Sequence, residues 1–408
     1  MLSTALRILA RCWPALLVWF LVGWTIRALV LRVGGYLLNI DENLGLLVLP
    51  IGILAMLVAY VAMFLAVRDE LSSLQTLDAA RTGDVAPTHS RMWGDTVFST
   101  VLPFLLLYVA WNLVREDVVD LYFASTLQEN WGTNETLGQI TVVAIVILVA
   151  AFALRTLLAR LAPRLPRWVG LVTTYLEALW ILVGLFVLRD LLRLLGDWLA
   201  TRRMFAWAVD AWAALREQFS GIALAGDAVA WVWNQFGTLV GLPLAWLALA
   251  SIVYFGTMPR SARPSRAAST ARSRWERMPV WLRRLGTALT SGIVERWHPV
   301  ALAARLIWRS GPIVLGGYLL GFAVVTAATE WLKIGIFRLI GPHDTNWWAG
   351  ASDAVGLGVA AIVATLQVAL VAATFDRALR SDRAAELFAP AGDAVSAAAA
   401  PAAAPSTR

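Results

Sequence analysis

Six stretches of the chain run for nineteen residues or more without an Asp, Glu, Lys, Arg or His: Asn43–Val67, Thr96–Val114, Thr136–Leu154, Ala228–Pro259, Ser310–Thr329 and Ala354–Phe375. A helix needs roughly 20 apolar residues to cross ~30 Å of hydrocarbon, so each run is long enough to span a bilayer. Two further apolar stretches, Trp13–Val33 and Trp168–Leu188, carry Arg27 and Glu177 in their interiors. The pattern predicts an all-α polytopic membrane protein of about eight transmembrane helices in four hairpins, with interfacial amphipathic helices beside them.

Of the 408 residues, 59% are hydrophobic and 15% charged. A large soluble domain of that composition distributes its apolar residues with amphipathic periodicity, whereas here they come in blocks. The blocks lack strand alternation, which argues against a β-barrel, and helices satisfy their own backbone in lipid. Many of the 21 tryptophans sit near the ends of the runs, among them Trp13, Trp93, Trp168, Trp331, Trp347 and Trp348, as interfacial belts require. Arg7 and Arg11 ahead of Trp13–Val33 imitate a signal peptide, but the apolar stretch is too long for one and reads as a signal anchor.

With eight spans both termini share a side. The connections on that side hold 24 of the 34 Lys and Arg residues, and the positive-inside rule then makes the termini cytoplasmic in a multi-pass protein of the cell membrane. The segment 189–227, with five Arg on the opposite side, fits the rule least well. Thirty-three of the 34 basic residues are Arg, a bias expected of a GC-rich bacterial genome. The net charge of +7 lies in the connections, so anionic lipid headgroups, rather than nucleic acid, are the expected partner, together with a membrane-protein partner.

The resulting organisation is a first hairpin over 1–67, a cytoplasmic connection and second hairpin over 68–161, and a third hairpin with an outer amphipathic segment over 162–257. A basic linker and amphipathic helix follow over 258–298, then a fourth hairpin over 299–376 and an Ala/Pro tail over 377–408 expected to be disordered. Leu191, Trp198, Phe205, Trp212 and Phe219 recur every seven residues, which predicts one or two amphipathic helices. Leu282, Leu285, Leu289, Ile293 and Trp297 predict another on the cytoplasmic side, with Arg283, Arg284 and Arg296 available to lipid. Arg11-x2-Pro14-x8-Gly23 recurs as Arg309-x2-Pro312-x8-Gly321, with Phe20 and Tyr318 each three residues before the glycine. Such a repeat suits a parallel duplication about an axis along the membrane normal.

Polar side chains inside a span cost about 2.5–3.5 kcal/mol on insertion scales, which makes Glu177 and Arg27 the leading functional residues. Counting from the ends of their runs sets Glu177 near the midplane and Arg27 nearer the outer end. Asn112, Asn234, Gln235 and Gln367 are further intramembrane polar candidates. The competing reading of Glu177 is a neutral acid bonded across helices, and of Arg27 a side chain that snorkels to the interface.

Lys333, the one lysine, is not preceded by Gly, so there is no Walker loop, and His89, His298 and His343 stand apart, so no His-Glu-x-x-His pair exists. A single cysteine, Cys12, excludes an internal disulfide. No cofactor and no metal site are expected. Asp41-Glu42 and Glu116-Asp117-x-x-Asp120, assigned to outer loops, keep an outward-facing lipid-linked transferase open, with Asp41, Glu42, Asp117 and Asp120 as ligands of a metal or acceptor. The leading expectation is movement of a small solute, ion or lipid across or within the bilayer. Its rival is a non-catalytic scaffold subunit of an envelope complex.

Overall fold

The computed structural model describes residues 2–79, 108, 113–126, 142–161, 166, 169–218, 237–256 and 311–380, with a few positions between 224 and 235. Every regular element among them is helical: α1 (Leu2–Ile40), α2 (Glu42–Arg68), α3 (Ser72–Ala79), α4 (Leu113–Thr126), α5 (Val142–Leu161), α6 (Val169–Ala200), α7 (Arg203–Gln218), a π turn (Gly237–Gly241), α8 (Leu242–Gly256), α9 (Pro312–Ile340) and α10 (Thr345–Leu379). Among the described residues five helices are long and apolar enough to cross a membrane, namely α1, α2 from Asn43, α6, α9 and α10. That is the build of an integral membrane protein. Val142–Leu158 and Leu239–Tyr254 are shorter apolar helices. The expected linker and amphipathic helix over 258–298, and the tail beyond residue 380, lie outside the described residues.

The two best-defined hairpins are made by turn chemistry. One residue, Asp41, separates α1 from α2, and its carboxylate caps α2 by accepting from the Asn43 backbone N–H at 2.8 Å. At the other hairpin Gly341 closes α9 with a φ of 83°, a left-handed value suited to glycine, and Asp344 caps α10 by accepting from the Trp347 N–H at 3.0 Å.

Glycines then bring the partners together. A Cβ on Gly23 of α1 would collide with the Ala59 side chain and lie 3.2 Å from the Ala55 carbonyl of α2. One on Gly321 of α9 would lie 3.3 Å from Leu370 of α10. The two glycines of the sequence repeat thus occupy equivalent places, each facing the next helix of its hairpin. Pro14 and Pro312 do not match: Pro14 lies inside α1, Pro312 opens α9, and Arg309 is outside the described residues.

α1 packs along α2, α4 and α10, while α10 also contacts α9, α8 and α2. Between α2, α8 and α10 runs an aromatic seam in which Tyr60 and Trp246 centroids are 4.6 Å apart, Phe64 and Tyr254 6.0 Å, and Tyr254 and Phe375 5.0 Å. The buried Tyr318 hydroxyl of α9 donates to the Pro243 carbonyl at 2.6 Å.

At one end of the bundle the start of α1, the end of α2 and the end of α10 meet. Arg11 bonds Glu70 at 2.9 Å. The Ser73 N–H donates to buried Asp376 at 3.1 Å, and Arg380 bonds both Asp376 and the Ser72 hydroxyl. The first and last long helices therefore begin and end on the same side of the bundle.

Several elements differ from the runs that announce them. α1 continues past Val33 to Ile40, α4 past Val114 to Thr126, and α6 past Leu188 to Ala200. The heptad stripe is shared by two helices, Leu191 and Trp198 ending α6, Phe205 and Trp212 on α7, with Arg202 stacked 4.2 Å over the Trp198 ring between them. Phe219 lies outside the described residues. The Tyr175 hydroxyl donates to the Leu47 carbonyl at 2.8 Å, setting the first turns of α6 beside the first turns of α2. Strictly alternating hairpins place these two helix starts at opposite ends, so that order does not describe α6.

Candidate functional site

The site forms where α4 lies against the second half of α1. Gly34 and Gly35 permit the approach: a Cβ on Gly34 would be 2.7 Å from Leu121, and one on Gly35 would be 2.9 Å from the backbone between Ala124 and Ser125. Asn39 adds a hydrogen bond from its side-chain amide to the Ser125 carbonyl at 3.4 Å. One to two turns before these contacts on each helix, Arg27 of α1 meets Asp117 and Asp120 of α4.

Arg27 spends its donors on both acids. Its Nε donates to Asp117 Oδ1 at 2.8 Å and its Nη2 to the same oxygen at 2.5 Å, while Nη2 also reaches Asp120 Oδ2 at 2.6 Å. The Tyr108 hydroxyl donates to the other Asp117 oxygen, Oδ2. Asp117 is buried, its side chain 3% exposed, and Arg27 is 17% exposed, whereas Asp120 keeps 51% of its side-chain surface. Such charge-assisted, shared hydrogen bonds are the strong kind, and they hold the guanidinium in one orientation. Around them stand Glu116 of α4, within reach of the charges of Asp117, Asp120, Arg27 and Lys333, and Tyr60 of α2, whose electrostatic neighbours are Arg27 and Asp117.

The depth of the site follows from α2. Gly52 of α2 is the backbone that the Arg27 stem passes, a Cβ there lying 3.7 Å from Arg27 Cγ. Ten residues separate Gly52 from the start of α2, about 15 Å of helix rise, so the stem sits well inside the apolar run. Asp117 and Asp120, expected in a loop on sequence, are on the helix α4, Asp117 buried and Asp120 half exposed.

Glu177 and Arg27 are not brought together. Glu177 of α6 pairs with Arg155 of α5 at 3.4 Å, between side chains 12% and 20% exposed. Glu177 comes two residues after Tyr175, whose hydroxyl bonds the carbonyl of Leu47, the sixth residue of α2. Beside this pair, Arg155 Nε and Trp180 Nε1 are buried donors with no acceptor among the described residues.

The remaining candidates are scattered. Asp41 is exposed and occupied as a helix cap, bonded to Asn43 through both its backbone and side-chain nitrogens. Glu42 begins α2. Gln367 is half-buried in α10 and Gln235 half-buried before the π turn, while Asn112 and Asn234 lie outside the described residues. Among the described residues no three His, Cys, Asp or Glu side chains converge as a metal site.

Tyr108 was absent from the sequence-level candidates because tyrosines are ordinary in apolar runs. A signal that could have found the pairing is the Gly34-Gly35 doublet, seven and eight residues after Arg27, together with Ala124-Ser125 at the same spacing after Asp117. Comparison with protein-family models, with curated proteins and with solved structures found no match.

Proposed function

We propose that this integral membrane protein moves a small solute, ion or lipid across or within the bilayer, and that Arg27, Asp117 and Asp120 form its central charged group. The observation that supports the reading is the guanidinium shared by two carboxylates between α1 and α4. Intramembrane charges are costly, and where they occur they mark binding sites and ion pathways. The layout that goes with this reading is a multi-pass bacterial cell-membrane protein with both helix-bundle termini cytoplasmic and anionic headgroups at its basic connections.

The test is flux in vesicles reconstituted with the full chain, using protons, alkali cations and a fluorescent lipid as cargo. Arg27→Ala and Asp117→Asn are expected to abolish flux of one cargo, and Glu177→Gln to spare most of it. Equal flux in all variants, or none above empty vesicles for any cargo, contradicts the proposal.

A second reading, a non-catalytic scaffold in an envelope complex, is favoured by α9. Of its 29 residues only Tyr318 and Phe322 are buried, leaving Ile313, Leu320, Val324, Trp331 and Leu339 on an apolar outer face. Native electrophoresis of gently solubilised membranes distinguishes it: a scaffold migrates in a discrete complex larger than the purified chain. The transferase reading has less support, since the Asp117 carboxylate is engaged through both oxygens by Arg27 and Tyr108.

A further inference from the structure

α5 packs along α6 and turns the rest of its surface outward: Ala151 is its one buried residue among those described, and Val142, Val146, Val149, Phe152 and Leu157 are exposed. Two adjoining rungs cross the seam between these helices. On one, Phe152 of α5 meets the Trp180 ring of α6 edge-on, with centroids 5.6 Å apart. On the next, one turn along each helix, Arg155 pairs with Glu177.

The rungs hold two donors that the protein does not use. Arg155 bonds Glu177 through Nη2, which leaves its Nε spare. That Nε and the Trp180 Nε1 are both buried, and neither has an acceptor among the described residues. Their surroundings are hydrocarbon, including Leu148, Ala151, Leu176, Leu179 and Val183. A buried N–H without an acceptor bears its full desolvation cost, and the bilayer core has no water to relieve it. Two such groups on neighbouring rungs favour an acceptor brought from outside the chain.

The surroundings define that acceptor. The charges of Arg155 and Glu177 balance, so the spare donors suit a neutral oxygen such as a carbonyl. On one side of it, the exposed Val149, Val146 and Val142 offer a track for hydrocarbon. On the other, exposed Arg160 stands five residues on, about 7.5 Å of helix rise, and the connection to α6 adds Arg164 and Arg167. Basic residues at this level attract anionic headgroups.

We infer that the α5–α6 seam binds one anionic diacyl phospholipid, whose glycerol ester carbonyl accepts from Arg155 Nε and Trp180 Nε1 while its phosphate lies at the level of Arg160. Its acyl chains follow the outer face of α5. Access requires the partly exposed side chains of Phe152 and Arg155 to turn, with no helix moving. The site is separate from Arg27, Asp117 and Asp120, and the inference does not depend on what they do.

Native mass spectrometry of the full-length protein in a mild detergent tests it by counting bound lipid. The probes are ester-linked phosphatidylglycerol, its ether-linked analogue, which lacks both carbonyls, and ester-linked phosphatidylcholine. The wild type is expected to bind ester-linked phosphatidylglycerol tightest, with the ether analogue weaker by about three- to tenfold, the worth of a hydrogen bond or two. Trp180→Phe removes the N–H and keeps a ring, and Arg155→Lys keeps a positive charge beside Glu177. Each is expected to shrink the preference for ester over ether. Ester and ether lipids that bind the wild type alike overturn the inference, and so does a preference that both variants retain in full. Phosphatidylcholine binding as well as phosphatidylglycerol overturns the anionic headgroup. The melting temperature of each variant shows whether it folds, and the ester-against-ether comparison in the wild type decides the matter if neither does.

Discussion

Arg27 and Asp117 are 90 positions apart in sequence and joined by two hydrogen bonds to a single carboxylate oxygen, with Asp117 almost wholly shielded. Removing one member of a buried ion pair strands the other, at a cost of about 3–5 kcal/mol. Arg27→Ala is therefore expected to lower the melting temperature of the detergent-solubilised protein more than Asp120→Asn does. A double-mutant cycle with Asp117→Ala measures the coupling, which is expected to be clearly different from zero because the residues share one bond network.

The helix contact that presents Asp117 to Arg27 is steric. Gly35→Val puts a side chain into the Ala124–Ser125 backbone, which has no flexible end to swing aside. Overpacking of this kind costs about 1–3 kcal/mol. The expected outcome is a destabilised protein with the same functional defect as Asp117→Asn, read by melting and by flux. Gly196→Ala, on an open helix surface, is the control and is expected to melt like the wild type.

Asp376 ties the end of α10 to the start of α3. Asp376→Ala leaves the Ser73 N–H without its acceptor and Arg380 without its carboxylate, an expected loss of about 1–3 kcal/mol. Proteolysis in the connection that follows Ala79 should accelerate in this variant, whereas the Arg27 network should be unaffected.

Glu177 offers a contrast. Its partner Arg155 approaches at 3.4 Å through one nitrogen, and both side chains are partly exposed. Glu177→Gln keeps an acceptor in place, so its effect on melting is expected to be smaller than that of Asp117→Asn. Measuring the two variants side by side in the same detergent checks the ranking.

The positions of the helices were legible in the sequence to the extent that lipid solubility and helicity coincide. Asn43–Val67 and α2 agree to within a residue at each end because Asp41 caps the helix where its apolar run begins. Ser310–Thr329 stops eleven residues before α9 does, since a helix does not end at Glu330, Lys333 or Arg338; it ends at Gly341. Glu330 and Lys333 even bond each other at 3.0 Å one turn apart. The same mismatch moved Asp117 and Asp120 from a loop to a helix in the bundle. Arg27 was recognised as special from hydropathy, but its partner was not, because an isolated charge says nothing about which helix lies opposite. The close-packed Gly34-Gly35 doublet carried that information.

The charge swap is the most direct measurement of whether Arg27 and Asp117 hold α1 and α4 together. Arg27→Asp and Asp117→Arg are each expected to melt well below the wild type in the same lipid nanodiscs, and the double exchange, which restores opposite charges across the same contact, is expected to regain much of the loss. A double exchange as unstable as the sum of its two halves, or single variants that melt with the wild type, would contradict the account.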